Sequence, residues 1–273
     1  MAKRTVLVIQ HATWERAGRV GEALEDAGLD VETVDVASED RPRLAAVGDL
    51  AGLVLLGGPM RADDYRHYPG LKAETRLARS AVEAELPVLG ICLGHQILAR
   101  ALGGRLRTGG KPQRGVEPIR WVASDDTVYR WADRTTPVLE WHADSVGLPP
   151  GATLLARSGG TKVEAFRMGS ALGLQGHLEV TGPIFEQWLE SPMAMAGLKK
   201  GRIAQLKEEF EEAEPLMHPL ADSVFSAFAA RCSTCAARQA GSEDTAGNIG
   251  GDGTIGGDGR PGRSGKPKRG RRG

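Results

Sequence analysis

The segment Gly90-Ile91-Cys92-Leu93-Gly94 sets a thiol between two glycines. It follows the apolar run Pro87-Val88-Leu89 and precedes the helical pattern His95-Gln96-Ile97-Leu98-Ala99. Gly-x-nucleophile-x-Gly is the pattern of a strand-turn-helix elbow, in which the nucleophile sits on a strained turn and the glycines let backbones approach. A thiol there lies at a helix N-terminus, where the dipole favours the thiolate. The amide of Leu93 can then donate to an oxyanion. A cysteine nucleophile also needs a base and a group that orients the base. Among the six histidines, His177 closes the strand-like run that ends in Leu174-Gln175-Gly176 and stands two residues before Glu179. In extended chain both side chains share a face, so the carboxylate can orient the imidazole. His95 is expected to be structural, and His11 and His67 to be solvated loop residues. His218 stands beside Pro219 at an expected helix break.

Such an elbow needs a buried strand under it. Val6 to Ile9, Val31 to Val36, Leu53 to Leu56 and Pro87 to Ile91 are short apolar runs, separated by helical patterns over Trp14 to Ala27 and Leu71 to Glu85. That alternation predicts βαβ units and a parallel sheet covered on both faces. From about Val116 the strand-like runs crowd together: Pro118 to Val122, Val138 to Trp141, Thr153 to Ala156, Val163 to Phe166 and Ala171 to Leu174. Without helix-length spacers these are expected to be partly antiparallel. The predicted fold class is α/β, a three-layer sandwich with a mainly parallel central sheet and a small antiparallel portion. Thr181-Gly182-Pro183 offers an N-cap and an early proline for a helix to about Glu190. Helical pattern resumes in Leu198 to Glu212 and, after Pro215, from about Leu220 to Arg238.

The 273 residues carry 35 Lys+Arg and 35 Asp+Glu, and the zero net charge hides a split. Residues 241–273 hold 12 of the 37 glycines and seven basic residues against four acids, which leaves the first 240 residues mildly acidic. The reading is a domain over 1–195, a helical extension over 196–240 and a disordered, glycine-rich basic tail over 241–273. The basic end of the tail offers at most weak, salt-sensitive contact with nucleic acid. Three cysteines are too few for a disulfide framework, and no run reaches the roughly 20 apolar residues of a membrane span. The apolar run near the N-terminus is too short for a signal peptide. A cytoplasmic location, without a membrane partner, is expected. Cys232 and Cys235 form a lone pair with no second pair to complete a zinc site, so no metal or cofactor is expected.

Four segments together resemble the class I (triad) glutamine amidotransferases, particularly stand-alone members similar to the amidotransferase domain of GMP synthase. They are Gly57-Gly58-Pro59, the elbow through His95-Gln96, Trp141-His142-Ala143-Asp144, and Leu174-Gln175-x-His177-x-Glu179. The order Cys, His, Glu differs from the Cys, Asp, His order of an α/β-hydrolase. The resemblance implies a flavodoxin-like fold and a Cys92-His177-Glu179 triad that hydrolyses a γ-glutamyl amide through a thioester, releasing ammonia and glutamate. It also implies an oxyanion hole at Gly58 and Leu93, and substrate contacts at Gln96, His142, Ala143 and Asp144. Two departures stand out. Gly176 and Leu178 replace the Phe and Pro that often flank the histidine, and Gly176 is expected to open the substrate pocket or loosen the backbone beside His177. Ala143 replaces a glycine, so a positive φ there would be strained.

The chain lacks a phosphate loop, which excludes a fused ATP-dependent synthetase within it. Two enzyme readings follow: a glutaminase subunit that feeds ammonia to a separate synthase, or a free-standing hydrolase of γ-glutamyl conjugates. A catalytically silent binding module on the same scaffold is the third. Retention of Cys92, His177 and Glu179 together argues against it.

Overall fold

The computed structural model describes residues 5–39, 41–123 and 128–247. In chain order the elements are β1 (Thr5–Gln10), α1 (Gly18–Asp26), β2 (Asp30–Asp35), β3 (Gly52–Leu55), α2 (Gly70–Glu83), β4 (Val88–Ile91) and α3 (Leu93–Ala101). Then come β5 (Leu106–Arg107), β6 (Gln113–Trp121), β7 (Thr135–His142), β8 (Ser145–Val146), β9 (Thr153–Arg157), β10 (Ala165–Met168), β11 (Ala171–Leu174), α4 (Gly182–Glu190) and α5 (Lys200–Gly247). Nine strands form one sheet in the order β2-β1-β3-β4-β11-β10-β9-β6-β7, and β5 and β8 form a small ribbon.

The period-two alternation of each central strand divides the core into two layers. Val6 and Val8 of β1 and Val54 of β3 face one layer, with Val20 and Leu24 of α1, Phe185 and Trp188 of α4, and the apolar stripe of α5. Leu7, Ile9, Leu53 and Leu55 face the other, with Leu71 and Ala78 of α2 and Ile97 and Leu98 of α3. The result is the expected three-layer α/β sandwich. β2, β1, β3, β4 and β11 pair in parallel. β11 to β10, β10 to β9, β9 to β6 and β6 to β7 pair antiparallel. β11 is therefore the joint: parallel to β4 on one side and antiparallel to β10 on the other. β2 differs from the expectation of a strand buried on both faces, because it is the sheet edge and carries exposed Asp30 and Glu32.

Three local expectations change. The helix expected from Trp14 begins only at Gly18, whose φ of +47° and whose contact with the Glu179 carbonyl admit no side chain. Residues 11–17 are thereby freed to turn over the sheet. Thr181 is the N-cap residue of α4 but its hydroxyl makes no capping bond; Glu214 of α5 instead accepts from the Gly182 amide at 3.1 Å. The break expected at Pro215 is absent, since α5 runs through Pro215 and Pro219. Buried residues on both sides of the prolines, Leu206, Phe210 and Ala213 before and Leu220, Val224 and Phe228 after, anchor the helix to the core strongly enough to override the missing amides. His218 thus lies on a helix, 3.3 Å from Asp222. The expected tail lies outside the described residues from 248 onward, and α5 extends past residue 240 to Gly247.

The elbow rests on one tight approach. A Cβ at Gly94 would run into the Leu55 carbonyl of β3, so α3 can sit this low only with glycine there. Gly94→Ala is expected to destabilise the fold by about 1–3 kcal/mol through overpacking, read by urea unfolding. Unchanged stability would mean that α3 withdraws from β3 at no cost.

Candidate active site

Four loops leave the carboxyl ends of adjacent parallel strands: residues 11–17 after β1, Leu56 to Pro59 after β3, Cys92 after β4, and Gln175 to Glu179 after β11. In open α/β sheets this edge is where ligands bind. A cavity of about 600 Å³ opens there. Glu15, Gly58, Cys92, Leu93, Gln96 and Asp144 are among its walls.

Cys92 stands at the N-cap of α3 with φ 52° and ψ −105°, a strained conformation for a residue with a Cβ. Its amide donates to the Leu174 carbonyl of β11 at 2.8 Å, which binds the elbow to the strand that leads to His177. The His177 amide in turn donates to Leu139 of β7 at 2.8 Å. His177 Nδ1 lies 2.7 Å from Glu179 Oε1, as the two-residue spacing predicts. The Cys92 thiol lies against the same ring, and Nε2 is left without a hydrogen bond of normal geometry. Trp188 of α4 packs edge-on against the ring, with centroids 4.8 Å apart and planes at 88°. Its indole N–H donates to the Trp14 carbonyl at 2.8 Å.

Burial pushes the Cys92 thiol up, opposed by His177. The thiol therefore shifts in the direction opposite to the one expected from its place at a helix N-terminus, with burial as the largest cause. Burial acts to lower His177, but Glu179 and then Cys92 hold it well above its ordinary value. Proton transfer from thiol to imidazole makes an ion pair that Glu179 supports from behind. Glu15 adds a second carboxyl beside His177. Burial raises it to about 7, with His177 pulling it down and Glu179 pushing it up.

Gly58 and Leu93 face the same space as Cys92. Gln96 donates to the Asp144 carbonyl at 2.9 Å and lies 3.3 Å from Gln175 Oε1, so its amide nitrogen is committed to the protein. Asp144 is half-buried and accepts from the Gly109 amide at 3.2 Å. His142 donates from Nδ1 to the Asp144 carbonyl at 3.0 Å, and its Nε2 lies 2.8 Å from Glu140 Oε2. Both ring nitrogens thus point into the protein. Ala143 does not adopt a positive φ, so the strain expected there is absent.

The expectation that Gly176 enlarges the pocket is also corrected. A Cβ there would meet Val138 and the Glu140 carboxylate, so the space left by the glycine is filled from β7 rather than by substrate. Trp188 supports the His177 ring from behind, while Trp14 and Trp141 are the indoles that line the cavity. His11 is no solvated loop residue: it is buried, 2.9 Å from Glu74 and 3.1 Å from the Gly57 carbonyl. His67 is exposed and pairs with Asp64 at 2.8 Å. His95 is buried against Phe166, and desolvation drives it down to about 3, a neutral packing residue. Cys232 is buried and Cys235 half-buried, both as free thiols.

Sequence reasoning missed Glu15, Trp188 and Glu140. Glu15 was hidden by a helical pattern, although Gly18 was a signal that the helix starts late. Among the described residues, two groups contain carboxylates and a histidine within metal-ligating reach of one another: Glu15-His177-Glu179 and Glu140-His142-Glu164. In the first, Nδ1 of the ring is already taken by Glu179.

A mainly parallel three-layer α/β sandwich with a thiol on a strand-to-helix elbow is the class that fold and site define together. Residues 19–190 match the sequence profile of the family described as glutamine amidotransferase class-I, and the chain belongs to that family. It is 32% identical over 180 residues to YfeJ, a glutamine amidotransferase-like protein of Salmonella typhimurium; the match covers 63% of this chain and 74% of the relative. It is 40% identical over 98 residues to the glutamine-hydrolysing GMP synthase subunit of Sulfolobus acidocaldarius, covering 35% and 52% of the two chains. The chain thus spans about half the length of such GMP synthase subunits. Its fold superimposes on a glutamine amidotransferase from Thermotoga maritima with a TM-score of 0.75 at 29% identity, over 83% of this chain and 98% of the other. Among the described residues no helix is long and apolar enough to cross a membrane.

The buried Glu15 makes a measurable prediction. Its pKa in the fold, about 7, lies above the ordinary value of 4.5, so the folded state holds this proton more tightly than the unfolded one. The stability it confers is full below about pH 4.5 and is lost as pH rises through about 7. Relative to Glu15→Gln, the wild type is expected to lose on the order of 3 kcal/mol across that window. Urea unfolding of both proteins over the range checks it; a constant offset between them would refute the assignment.

Proposed function

We propose that the protein hydrolyses the side-chain amide of glutamine through Cys92, His177 and Glu179. The observation that carries the reading is the His177 ring, held by Glu179 at 2.7 Å through Nδ1 while the Cys92 thiol lies against it at the wall of the cavity. His177 takes the thiol proton as Sγ attacks the amide carbon. The oxyanion of the tetrahedral adduct accepts from the amides of Leu93 and Gly58. His177 then gives the proton to the leaving nitrogen, ammonia departs, and a γ-glutamyl thioester remains on Cys92. Water, deprotonated by His177, attacks the thioester and releases glutamate, returning the proton to sulfur. Gln96 and the turn from His142 to Asp144 lie at the substrate's amino-acid end. Since both nitrogens of His142 point inward, that turn meets substrate through its backbone and Asp144.

Likeness to the glutamine-hydrolysing GMP synthase subunits supports a role as a glutaminase that delivers ammonia to a separate synthase. A hydrolase of γ-glutamyl conjugates is the second reading. The cavity supports it, having more room than one amino acid fills. The opening at Gly176 does not, being occupied by Glu140 and Val138.

Ammonia and glutamate release from glutamine, beside a panel of γ-glutamyl peptides, separates the two readings. Cys92→Ala is expected to lower either activity by at least about 10³-fold, and Glu179→Gln by about 10³-fold, mainly in kcat, through loss of the correct imidazole tautomer. Iodoacetamide is expected to label Cys92 before buried Cys232, with glutamine protecting. Equal rates for wild type and Cys92→Ala would remove the proposal.

Residues 1–195 form the proposed catalytic unit, and α5 braces it: Arg19 pairs with Glu214 at 2.7 Å, and Gln239 donates to the Leu50 carbonyl at 3.1 Å. Truncation after Gly247 is expected to leave turnover unchanged. A large fall would place part of the functional unit in residues 248–273.

A further inference from the structure

A second cluster of chemically active groups lies behind the catalytic loops. Glu140 at the end of β7, His142 two residues later and Glu164 before β10 each offer one ligand atom, and these atoms lie within 4.8 Å of one another. Glu140 and Glu164 are almost wholly buried. Neither oxygen of either carboxylate has a hydrogen-bond partner of normal geometry among the described residues, nor does His142 Nε2. The Ser158 hydroxyl comes near Glu164 without closing one. Five buried polar atoms thus lack a hydrogen bond of normal geometry, and apart from the close approach of His142 Nε2 to Glu140 Oε2 at 2.8 Å they are left unpaired, which is costly. The Val138 and Glu140 side chains fill the room beside Gly176, so the cluster has been given its space by the same glycine that distinguishes this chain.

The orientation of His142 is the second observation. Its Nδ1 donates to the Asp144 carbonyl at 3.0 Å, which leaves the Nε2 lone pair facing Glu140 Oε2 at 2.8 Å. A backbone carbonyl on the far nitrogen is the support that metal-ligating histidines usually have. Glu140 and Glu164 line a small cavity of about 10 Å³ beside Gly176, and His142 also borders a separate open cavity with Gln113 and Ser158, on a side away from Cys92.

We propose that Glu140, His142 and Glu164 bind one divalent transition-metal cation, of the zinc or manganese class, and that the ion braces the wall of the catalytic pocket. One imidazole and two carboxylates suit these borderline cations rather than soft ones. Two carboxylates and one cation also cancel in charge, which no protein cation does at this place: among the described residues no Lys or Arg pairs with Glu140 or Glu164. The ion would connect β7 to the start of β10. Leu139 of β7 receives the His177 amide, and the Glu164 carbonyl receives the Gln175 amide at 2.7 Å. The segment that carries His177 is therefore tied at both ends to residues adjoining the ligands.

The test uses the full chain with Cys92→Ala, so that a thiolate-imidazole site cannot compete, stripped with EDTA and titrated with Zn²⁺ and Mn²⁺ by calorimetry. One equivalent is expected, with a rise in melting temperature, and both are expected to vanish in Glu140→Gln and in Glu164→Gln. Melting of the two variants in EDTA shows whether they fold. Co²⁺ gives a further readout: nitrogen-oxygen ligation that survives Glu15→Gln but is lost in Glu140→Gln supports the site, whereas its loss in Glu15→Gln, or a thiolate charge-transfer band that would move the ion to Cys232 and Cys235, overturns the assignment. The proposal is also overturned by no stoichiometric binding to the Cys92→Ala chain, by weak adventitious binding only, or by binding that both glutamine variants retain.

Discussion

The parallel seam between β4 and β11 is the constraint on which the site depends. Gly90 pairs with Gly173 and Ile91 with Leu174, and one step further the Cys92 amide donates to the Leu174 carbonyl. These two strands lie far apart in the chain, with α3 and six strands between them, yet their pairing brings the thiol to the segment that carries His177, which Leu139 of β7 holds from the other side. A slip of one residue would turn Cys92 or His177 to the opposite face. The seam tolerates no bulk: a Cβ at Gly173 would meet Phe166 and His95, and one at Gly94 would meet β3. Buried glycines here exchange packing area for close approach, and the lost area is recovered by aromatic side chains one layer out.

Charge is the second organising element. Glu15, Glu179, Glu140 and Glu164 are all buried around two histidines, His177 and His142. Only Glu179 is hydrogen-bonded to its histidine in normal geometry. Burial carries Glu15 to about 7 and Glu140 and Glu164 each to about 8. Carboxylates desolvated in this way are found more often at functional places than in inert core. The Glu179 pair makes His177 a stronger base, which an apolar surround would not do.

The parts of the molecule that depend on local pattern were readable in the amino-acid sequence. The strand-helix alternation, the elbow at Cys92 and the one-face spacing of His177 and Glu179 are properties of neighbours in the chain, and each has its counterpart in the structure. What was not readable depends on contacts between distant segments. The sign of the Cys92 shift follows from burial that spacing cannot report. The continuity of α5 through Pro215 and Pro219 follows from its stripe of core residues, and the environment of His11 follows from Glu74, 63 positions away. Glu15 was invisible because periodicity favours extending a helix backwards to Trp14, whereas the helix starts only at Gly18, where the Glu179 carbonyl leaves no room for a side chain.

The exchange at Gly176 shows how one such distant contact changes a functional inference. Taken alone, a glycine beside the proposed general base suggests a looser, larger pocket. In the fold, Val138 and Glu140 of β7 enter that space, and the backbone is held by the bond from His177 to Leu139. The pocket is not widened on this side, and the wall is rigid rather than free. The same substitution brings a buried carboxylate to the back of the catalytic segment, where His142 and Glu164 meet it. The glycine at this position thus makes room for a polar cluster rather than for substrate. The walls that do face the thiol across the cavity are Gly58, Leu93 and the loop carrying Trp14 and Glu15.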